Sequence, residues 1–327
     1  MTGDARPTSF VRTVLGDIDP AEMGVTYAHE HLIIDGGRPA EMSPDFLLAD
    51  VDRLADELHE AAVAGLQTAI DAMPADCGRN PAKLAELSRR TGVNIVAATG
   101  LHHERFYGAS HWSLRASEDW LADLFVADVI EGIDERDYGG STVNRTDIRA
   151  GIVKVAGSEG GPSARDLPIF RAAAAAHART GVPVHTHCEA GTGALEQLSA
   201  LVDAGVPAER ISLSHVDKVV DRGYHRDLFA TGAFAAYDQA FRWADRANGT
   251  LQLIEWAIAD GHAGQVMLGM DAARQGYYQA FGGAPGLAFL LRDFSDSMET
   301  RGIRAEIRQH LFVDNPARAF AFAEVAA

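Results

Sequence analysis

Eight short apolar segments, each followed by a longer amphipathic stretch, constrain the fold of this 327-residue chain more than any other feature. Each segment has the length of a buried strand, and the alanine- and leucine-rich stretches between them have helical periodicity. The segments lie at residues 24–34, 66–72, 93–100, 151–156, 182–187, 210–215, 233–238 and 265–271. Alternating strands and helices build a parallel sheet, either closed into a (β/α)8 barrel or open and doubly wound. The count of eight favours the barrel.

We therefore predict an α/β protein with a TIM-barrel fold, formed by a single domain over residues 1–327. The stretch "FVRTVLGDIDP" at 10–20 predicts a short N-terminal β-hairpin that covers the bottom of the barrel. Asn80 followed by Pro81 predicts the start of one helix, because asparagine caps helix N-termini and proline suits the first helical position.

The composition narrows the classes of function. The formal net charge of −17 argues against nucleic acid or an anionic membrane surface as a partner, because both require a basic face. No apolar run reaches transmembrane length, and the first ten residues lack the apolar core of a signal peptide. The two cysteines, Cys77 and Cys188, lie far apart and suggest neither a zinc knuckle nor a disulfide. We therefore expect a cytoplasmic protein.

The first predicted strand contains two histidines. In "VTYAHEHLIID" at 25–35, alternation along a strand places His29 and His31 on one face and Glu30 on the other. Two neutral imidazoles on one face form a chelating pair for zinc or a similar ion. A pair that is satisfied by backbone carbonyls is equally compatible with this stretch, so the rest of the chain must decide.

Polar residues lie at the end of five predicted strands, which is where the active site of a (β/α)8 barrel is found. A buried ionisable group is costly unless it is paired or bound to metal, so this convergence favours a metal site. The set exceeds what one tetrahedral ion needs, which suggests two ions. A lysine ammonium would repel a metal, whereas a lysine carbamylated by carbon dioxide could bridge two cations. The residues are His29, His31, Lys154, His187, His215 and Asp271.

Five motifs in this order resemble the phosphotriesterase family of the amidohydrolase superfamily, which includes the phosphotriesterase-like lactonases. The resemblance covers essentially the whole chain. It implies a (β/α)8 barrel with two divalent metal ions, usually zinc, with manganese or cobalt as alternatives, and it suggests a homodimer. The motifs are "AHEHLI" at 28–33, "GIVKVA" at 151–156, "GVPVHTHCEAG" at 181–191, "LSHVD" at 213–217 and "LGMD" at 268–271.

The resemblance also assigns the ligands. It implies that His29, His31 and Asp271 hold the more buried ion, that His187 and His215 hold the more exposed ion, and that an N6-carboxylated Lys154 bridges both together with a hydroxide. Water bound to zinc ionises near neutral pH, so the bridging hydroxide would be the nucleophile. Asp271 would then be the catalytic general base.

Other residues are predicted around this centre. His185 shares a face with His187, so periodicity alone makes both of them ligand candidates. The family motif aligns His187 with the metal, so His185 is expected just behind the ligands, as is Gln239. Six residues in loops after the third, seventh and eighth strands are candidates for substrate contact: His102, His103, Arg105, Tyr107, Arg242 and Arg274. With Arg246, the arginines of this face suggest an anionic group on the substrate, although each could also be solvated surface.

Two departures from the family bear on the reaction. Efficient phosphotriesterases relay a proton from the metal-bound aspartate through a histidine and a second aspartate. Gln239 and Lys218 occupy those positions here, and neither can serve in that relay. We therefore predict a hydrolase of small-molecule lactones or carboxylic esters, with an organophosphate triesterase as the alternative and a metal-binding protein without turnover as a remote third.

Overall fold

The computed structural model describes residues 9–243 and 248–325, so Arg246 lies outside the described residues. A two-stranded antiparallel hairpin is followed by eight parallel strands that pair in chain order. The amide of Asp271 donates to the carbonyl oxygen of His29 at 2.9 Å and joins the last strand to the first. The predicted (β/α)8 barrel is therefore confirmed over the open sheet. The strands are β1 Val11–Thr13, β2 Gly16–Ile18, β3 Thr26–Glu30, β4 Thr68–Asp71, β5 Asn94–Gly100, β6 Ile152–Gly157, β7 Val184–Cys188, β8 Ile211–Ser214, β9 Phe234–Tyr237 and β10 Val266–Leu268.

Helices follow each barrel strand. The third helix begins as predicted, because the Asn80 side chain accepts from the amide of Lys83 and Pro81 occupies the first turn. Within the described residues, no helix has both the length and the apolar character needed to cross a membrane. The α-helices are α1 Gly37–Met42, α2 Val51–Val63, α3 Pro81–Thr91, α4 Glu118–Ile130, α5 Asp166–Thr180, α6 Ala194–Asp203, α7 Arg222–Ala230, α8 Gly249–Ala259, α9 Asp293–Thr300, α10 Ala305–Gln309 and α11 Asn315–Ala319.

The strands separate two apolar cores. On β5, Ile95 packs in the layer between strands and helices, whereas Val96 packs inside the barrel. The interior core also contains Val11 of the hairpin and Phe320 near the C-terminus. These residues close the bottom of the barrel, as predicted for the hairpin, and leave polar side chains to the opposite end.

Strand β3 carries one extra residue. Tyr27 pairs with Ala69, but Glu30 pairs with Asp71, so three residues on β3 match two on β4. Such a bulge re-aims side chains and is common near active sites. On a regular strand, neighbouring side chains point to opposite faces. The bulge explains why Ala28 and its neighbour His29 both face the barrel interior.

Candidate metal centre

One group of donor atoms lies where β3 and β10 end. The Oδ1 atom of Asp271 lies 3.3 Å from Nε2 of His31 and 3.8 Å from Nε2 of His29. The Nζ atom of Lys154, on β6, lies 3.3 Å from Nε2 of His29. The histidine and aspartate atoms all lie within 4.8 Å of one another, which is close enough for one ion to contact all three. The structure thus brings together four residues from three separate predicted strands.

A second group of donors lies beside the first. Nδ1 of His187 lies 2.7 Å from Nε2 of His215. The far nitrogen of each ring contacts a carboxylate, with Nε2 of His187 bonded to Glu189 and Nδ1 of His215 bonded to Asp238. Because a carboxylate only accepts, both far nitrogens carry the proton and the two near nitrogens of neutral rings present lone pairs. Two lone pairs at this distance repel each other, and a cation bound to both nitrogens would offset that repulsion.

Burial keeps three of the imidazoles, those of His29, His187 and His215, in the form that binds metal. It lowers the pKa of His29 well below the ordinary value and lowers the pKa of His187 to about 3, and the nearby charges of other site residues do not outweigh it. Burial also lowers the pKa of His215. Neutral imidazole is the ligand form of histidine, so the rings need no deprotonation before binding.

Lys154 is fully buried in this site. No carboxylate of the described residues lies within ion-pair distance of its amine. Its amine contacts Nε2 of His29 and the Ser214 hydroxyl, which lies 3.4 Å away. Burial lowers the pKa of Lys154 to about 7, so the neutral amine is accessible near neutral pH. A neutral amine is the form that can react with carbon dioxide.

Asp271 has an unusual backbone conformation that its surroundings fix. Its φ of 49° lies in the left-handed region, which aspartate tolerates better than most residues. The buried Glu30 carboxylate accepts from the amides on both sides, at 2.7 Å from Met270 and 3.3 Å from Ala272. Arg242 donates to the carbonyl oxygen and to Oδ2 of Asp271. Burial raises the pKa of Asp271, but the neighbouring His215 and Arg242 outweigh that effect and hold it well below the usual range.

Asp238, which follows β9, is a residue of this site that was not predicted from the sequence. Its buried carboxylate contacts Nδ1 of His29 at 3.0 Å and Nδ1 of His215 at 2.9 Å, so one residue orients a ligand from each donor group. Carboxylates that hold the second nitrogen of a ligating histidine fix its tautomer and orientation. Asp238 is the last residue of the seventh predicted strand, 233–238. It therefore lies at a strand end like the other six residues and could have been predicted on the same ground.

The two residues predicted behind the ligands lie there. The ring of His185 packs edge-on against His29 with centroids 4.9 Å apart, and its Nδ1 contacts the Ser212 hydroxyl at 2.6 Å. The side-chain amide of Gln239 donates to the Asp238 carboxylate.

A cleft of about 220 Å³ opens over the donor groups. Four of the six candidate substrate contacts line it, together with Lys218, namely His102, Arg105, Arg242 and Arg274. The other two have structural contacts: Nδ1 of His103 accepts from the amide of Arg105, and the hydroxyl of Tyr107 donates to the carbonyl oxygen of Ala75.

His102 presents a fixed donor to this cleft. Its Nδ1 accepts from the amide of His103 at 2.6 Å, so the neutral ring carries its proton on Nε2. Its own amide donates to the hydroxyl of Tyr107 at 2.7 Å. The ring lies against His187 with centroids 4.9 Å apart. An Nε2–H group beside the second donor group can donate to a substrate oxygen.

Known proteins match this chain along nearly its full length. It is 31% identical over 326 residues to a phospho-furanose lactonase of Mycoplasmopsis synoviae, covering 96% of this chain and 92% of that protein. It is 28% identical over 320 residues to an aryldialkylphosphatase of Saccharolobus solfataricus, covering 93% and 96%. The crystal structure of an amidohydrolase from Mycoplasma synoviae superposes with a TM-score of 0.92 at 30% identity, covering 98% and 94%.

The sequence model of the phosphotriesterase family matches residues 9–320, which include all six predicted metal ligands. A lactonase structure from Listeria monocytogenes also superposes, with a TM-score of 0.86 at 30% identity over 96% of this chain and 99% of that one. These matches support hydrolysis as the activity and agree with the motifs from which the family was predicted. The chain belongs to the phosphotriesterase family.

Proposed function

We propose that this protein is a metal-dependent hydrolase of lactones that carry an anionic group, such as a phosphate. The observation that carries the proposal is a free cation beside the donor groups. The ammonium of Lys218 lines the cleft and forms no ion pair or hydrogen bond with the described residues. The name of the Mycoplasmopsis relative, a phospho-furanose lactonase, supports the same class of substrate.

The donor atoms fit two divalent ions, for which we propose zinc, with manganese or cobalt as alternatives. His29, His31 and Asp271 would hold one ion, and His187 and His215 would hold the other. Lys154, as the carbamate formed with carbon dioxide, would lie between them. The facing lone pairs of His187 and His215 support this assignment, because they need a cation, and so does the buried amine of Lys154, which lacks an acidic partner.

Bound at these atoms, the ions would supply a water of lowered pKa and a Lewis acid for the substrate oxygen. The rest of the chemistry falls to the chain. Asp271 is placed to accept a proton during attack on the lactone carbonyl and to return it to the departing alkoxide. Nη2 of Arg242 donates to Oδ2 of Asp271 at 3.1 Å. Oδ1 is the oxygen that lies closer to Nε2 of His31.

The surroundings of Asp271 favour lactones over phosphotriesters. A lactone's alkoxide needs the proton that Asp271 took, so no relay is required. An aryl phosphotriester releases a phenolate that needs no proton, so the proton must leave the site. Gln239 cannot accept a proton, and Lys218 cannot stabilise a protonated intermediate beyond it. The alternative, phosphotriester hydrolysis, has the aryldialkylphosphatase relative in its favour.

The cationic side chains of the cleft differ in how far other protein groups already pair with them. Arg105 is paired with Glu189 at 3.0 Å, and Arg242 donates to protein oxygens. Arg274 lies over the ring of Phe46 and reaches Asp45 only at 3.5 Å. We therefore assign the substrate's anionic group to Lys218, with Arg274 as its second partner.

A panel of sugar lactones with and without a phosphate group, assayed beside simple esters and paraoxon, tests the substrate class. We expect the phosphorylated lactones to have the highest kcat/KM. In Lys218→Met, KM for those lactones should rise about tenfold or more while kcat changes little, because the lost contact is the same in ground and transition states. A preference for paraoxon over every lactone and ester would contradict the proposal. No turnover of any substrate by metal-loaded protein would support a non-catalytic metal-binding protein.

Elemental analysis and the Lys154→Ala variant test the metal centre. We expect about two ions per chain in the wild type, and a loss of activity of about 100-fold or more in the variant, because the bridging ligand is removed. Formate or propionate should restore part of that activity by replacing the carbamate. Normal rates and metal content in Lys154→Ala would make this lysine structural.

We also propose that the protein is a cytoplasmic homodimer, as the family resemblance suggests. Sedimentation equilibrium of the metal-loaded protein tests the oligomeric state. A mass near 35.0 kDa at all concentrations would contradict the dimer.

A further inference from the structure

A carboxylate within the motif at 181–191, to which the sequence assigns no role, lies against one of the metal-ligand candidates. Glu189 is the first residue after β7, in a single 3-10 turn. Its Oε2 lies 2.8 Å from Nε2 of His187, and its Oε1 lies 3.0 Å from Nη1 of Arg105. The three side chains form a chain of contacts that runs from the cleft wall to the second donor group.

The contact with Glu189 determines how His187 can act. The carboxylate can only accept, so Nε2 of the neutral ring carries the proton and Nδ1 keeps its lone pair. That lone pair faces Nε2 of His215 at 2.7 Å. Without an acceptor at Nε2, the ring could take the other tautomer, in which Nδ1 carries a proton and cannot bind an ion.

The role of Arg105 follows from the same contacts. The Arg105–Glu189 pair is partly exposed, with side chains 42% and 25% accessible, so as an ion pair it adds little to stability. Its effect is positional, because the guanidinium contacts one carboxylate oxygen and leaves the other to face His187. It also neutralises a negative charge that would repel an anionic substrate at the cleft.

We propose that Glu189 is a positioning residue that fixes the tautomer and orientation of His187, and that Arg105 holds Glu189 in place rather than binding substrate. The proposal rests on the metal centre proposed above, but not on the identity of the substrate. Glu189 contacts neither His29, His31 nor Asp271, so its effect is confined to the second ion. Loss of such an outer contact typically weakens metal binding about 10- to 100-fold.

Calorimetric titration of chelator-treated protein with Zn²⁺ tests this proposal without any substrate. We compare the wild type, Glu189→Ala, Glu189→Gln and a control, Glu196→Gln, whose exposed carboxylate lies on the nearby helix α6. In Glu189→Ala one of the two affinities, that of the ion held by His187 and His215, should fall about 10- to 100-fold, with the other unchanged. Glu189→Gln should lose less, because its amide oxygen can still accept from Nε2. The control should match the wild type.

The possible failures are distinguishable. Two unchanged affinities in a folded Glu189→Ala protein would overturn the positioning role. Equal weakening of both ions, with a lower melting temperature in circular dichroism, would also overturn it and make Glu189 a structural residue. A wild type that binds fewer than two ions would overturn the metal centre itself.

Discussion

Single side chains behind the donor atoms determine where those atoms point. Asp238 contacts a histidine of each donor group, and Glu30 accepts from the amides that flank Asp271. Both carboxylates are fully buried, where an unpaired charge would be costly. Their contacts therefore stabilise the site and the protein together, and a substitution at either position would disturb both.

Arg242 shows how the structure changes an expectation at a single residue. The sequence favours substrate binding, but the guanidinium donates to the carbonyl oxygens of Asp238 and Met270 and to two oxygens of Asp271. We therefore expect Arg242→Ala to lower kcat about 10- to 100-fold by releasing Asp271.

A matched control separates the two roles. Arg274→Ala removes a half-exposed arginine of the same cleft and should raise KM severalfold with little change in kcat. Steady-state kinetics on an anionic lactone measures both variants. If Arg242→Ala raised KM and kept kcat, Arg242 would bind substrate as the sequence suggests.

At the scale of elements, local patterns were sufficient to predict the barrel. Each barrel strand was found from a short apolar run, and the helices between most of them from their period, both of which depend on neighbouring residues. The end of the first strand was misplaced for a long-range reason. The prediction ran to residue 34, but β3 ends at Glu30, because the Asp71 carboxylate takes the amides of Leu32 and Ile33 out of the strand ladder.

Loops on the active face could not be predicted, because their contacts join distant segments. Asp76, after β4, accepts from both His111 and Trp112 in the loop after β5. Tyr107 was a candidate for substrate contact because it lies in the loop after the third barrel strand. Its hydroxyl instead donates to the carbonyl oxygen of Ala75 and accepts from the amide of His102. Sequence position places a residue on the right face of the barrel but does not determine whether its side chain reaches the cleft.

Helix α2 holds the long loop after β10 through one buried carboxylate. Glu57 accepts from the amides of Ala280 and Leu287, each at 2.8 Å. Glu57→Ala leaves both donors without that partner, so we expect the free energy of unfolding to fall by about 2–4 kcal/mol. Glu60→Ala removes an exposed carboxylate of the same helix, paired with Arg292, and should cost less than about 1 kcal/mol. Urea unfolding measures both, and equal losses would contradict the assigned role of Glu57.

For the molecule as a whole, we expect the proposed metal centre to reduce the stability of the metal-free protein. The six donor side chains lie at the closed centre of the barrel's upper end, and all but Asp271 are buried. Without ions they bring together repelling lone pairs and a buried amine, which a packed apolar core would not contain. Ion binding should therefore stabilise the fold as well as supply the chemistry.

Because of the buried amine of Lys154, the free energy of unfolding of the metal-free protein should depend on pH. Burial lowers the pKa of Lys154 to about 7 in the folded chain, against an ordinary value of about 10.4 in the unfolded chain. Between these values the unfolded state binds one more proton, so this group makes unfolding harder as pH rises. Its penalty is fully present below about pH 7 and absent above about pH 10.4, with a slope of up to about 1.4 kcal/mol per pH unit between them.

Lys154→Met removes that proton and should remove its share of the slope. We expect urea unfolding of chelator-treated, bicarbonate-free protein to give a free energy of unfolding that rises with pH, from about pH 7 to about pH 9, more steeply in the wild type than in Lys154→Met. The variant should be the more stable protein at the lower pH, because it buries no amine. Other groups titrate in this range, but they are common to both proteins, so the difference between the two profiles isolates Lys154. Lys218→Met, which changes an exposed lysine, should follow the wild type. Parallel profiles for the wild type and Lys154→Met would mean that the amine is solvated in the folded protein and that burial does not prepare it for carbon dioxide.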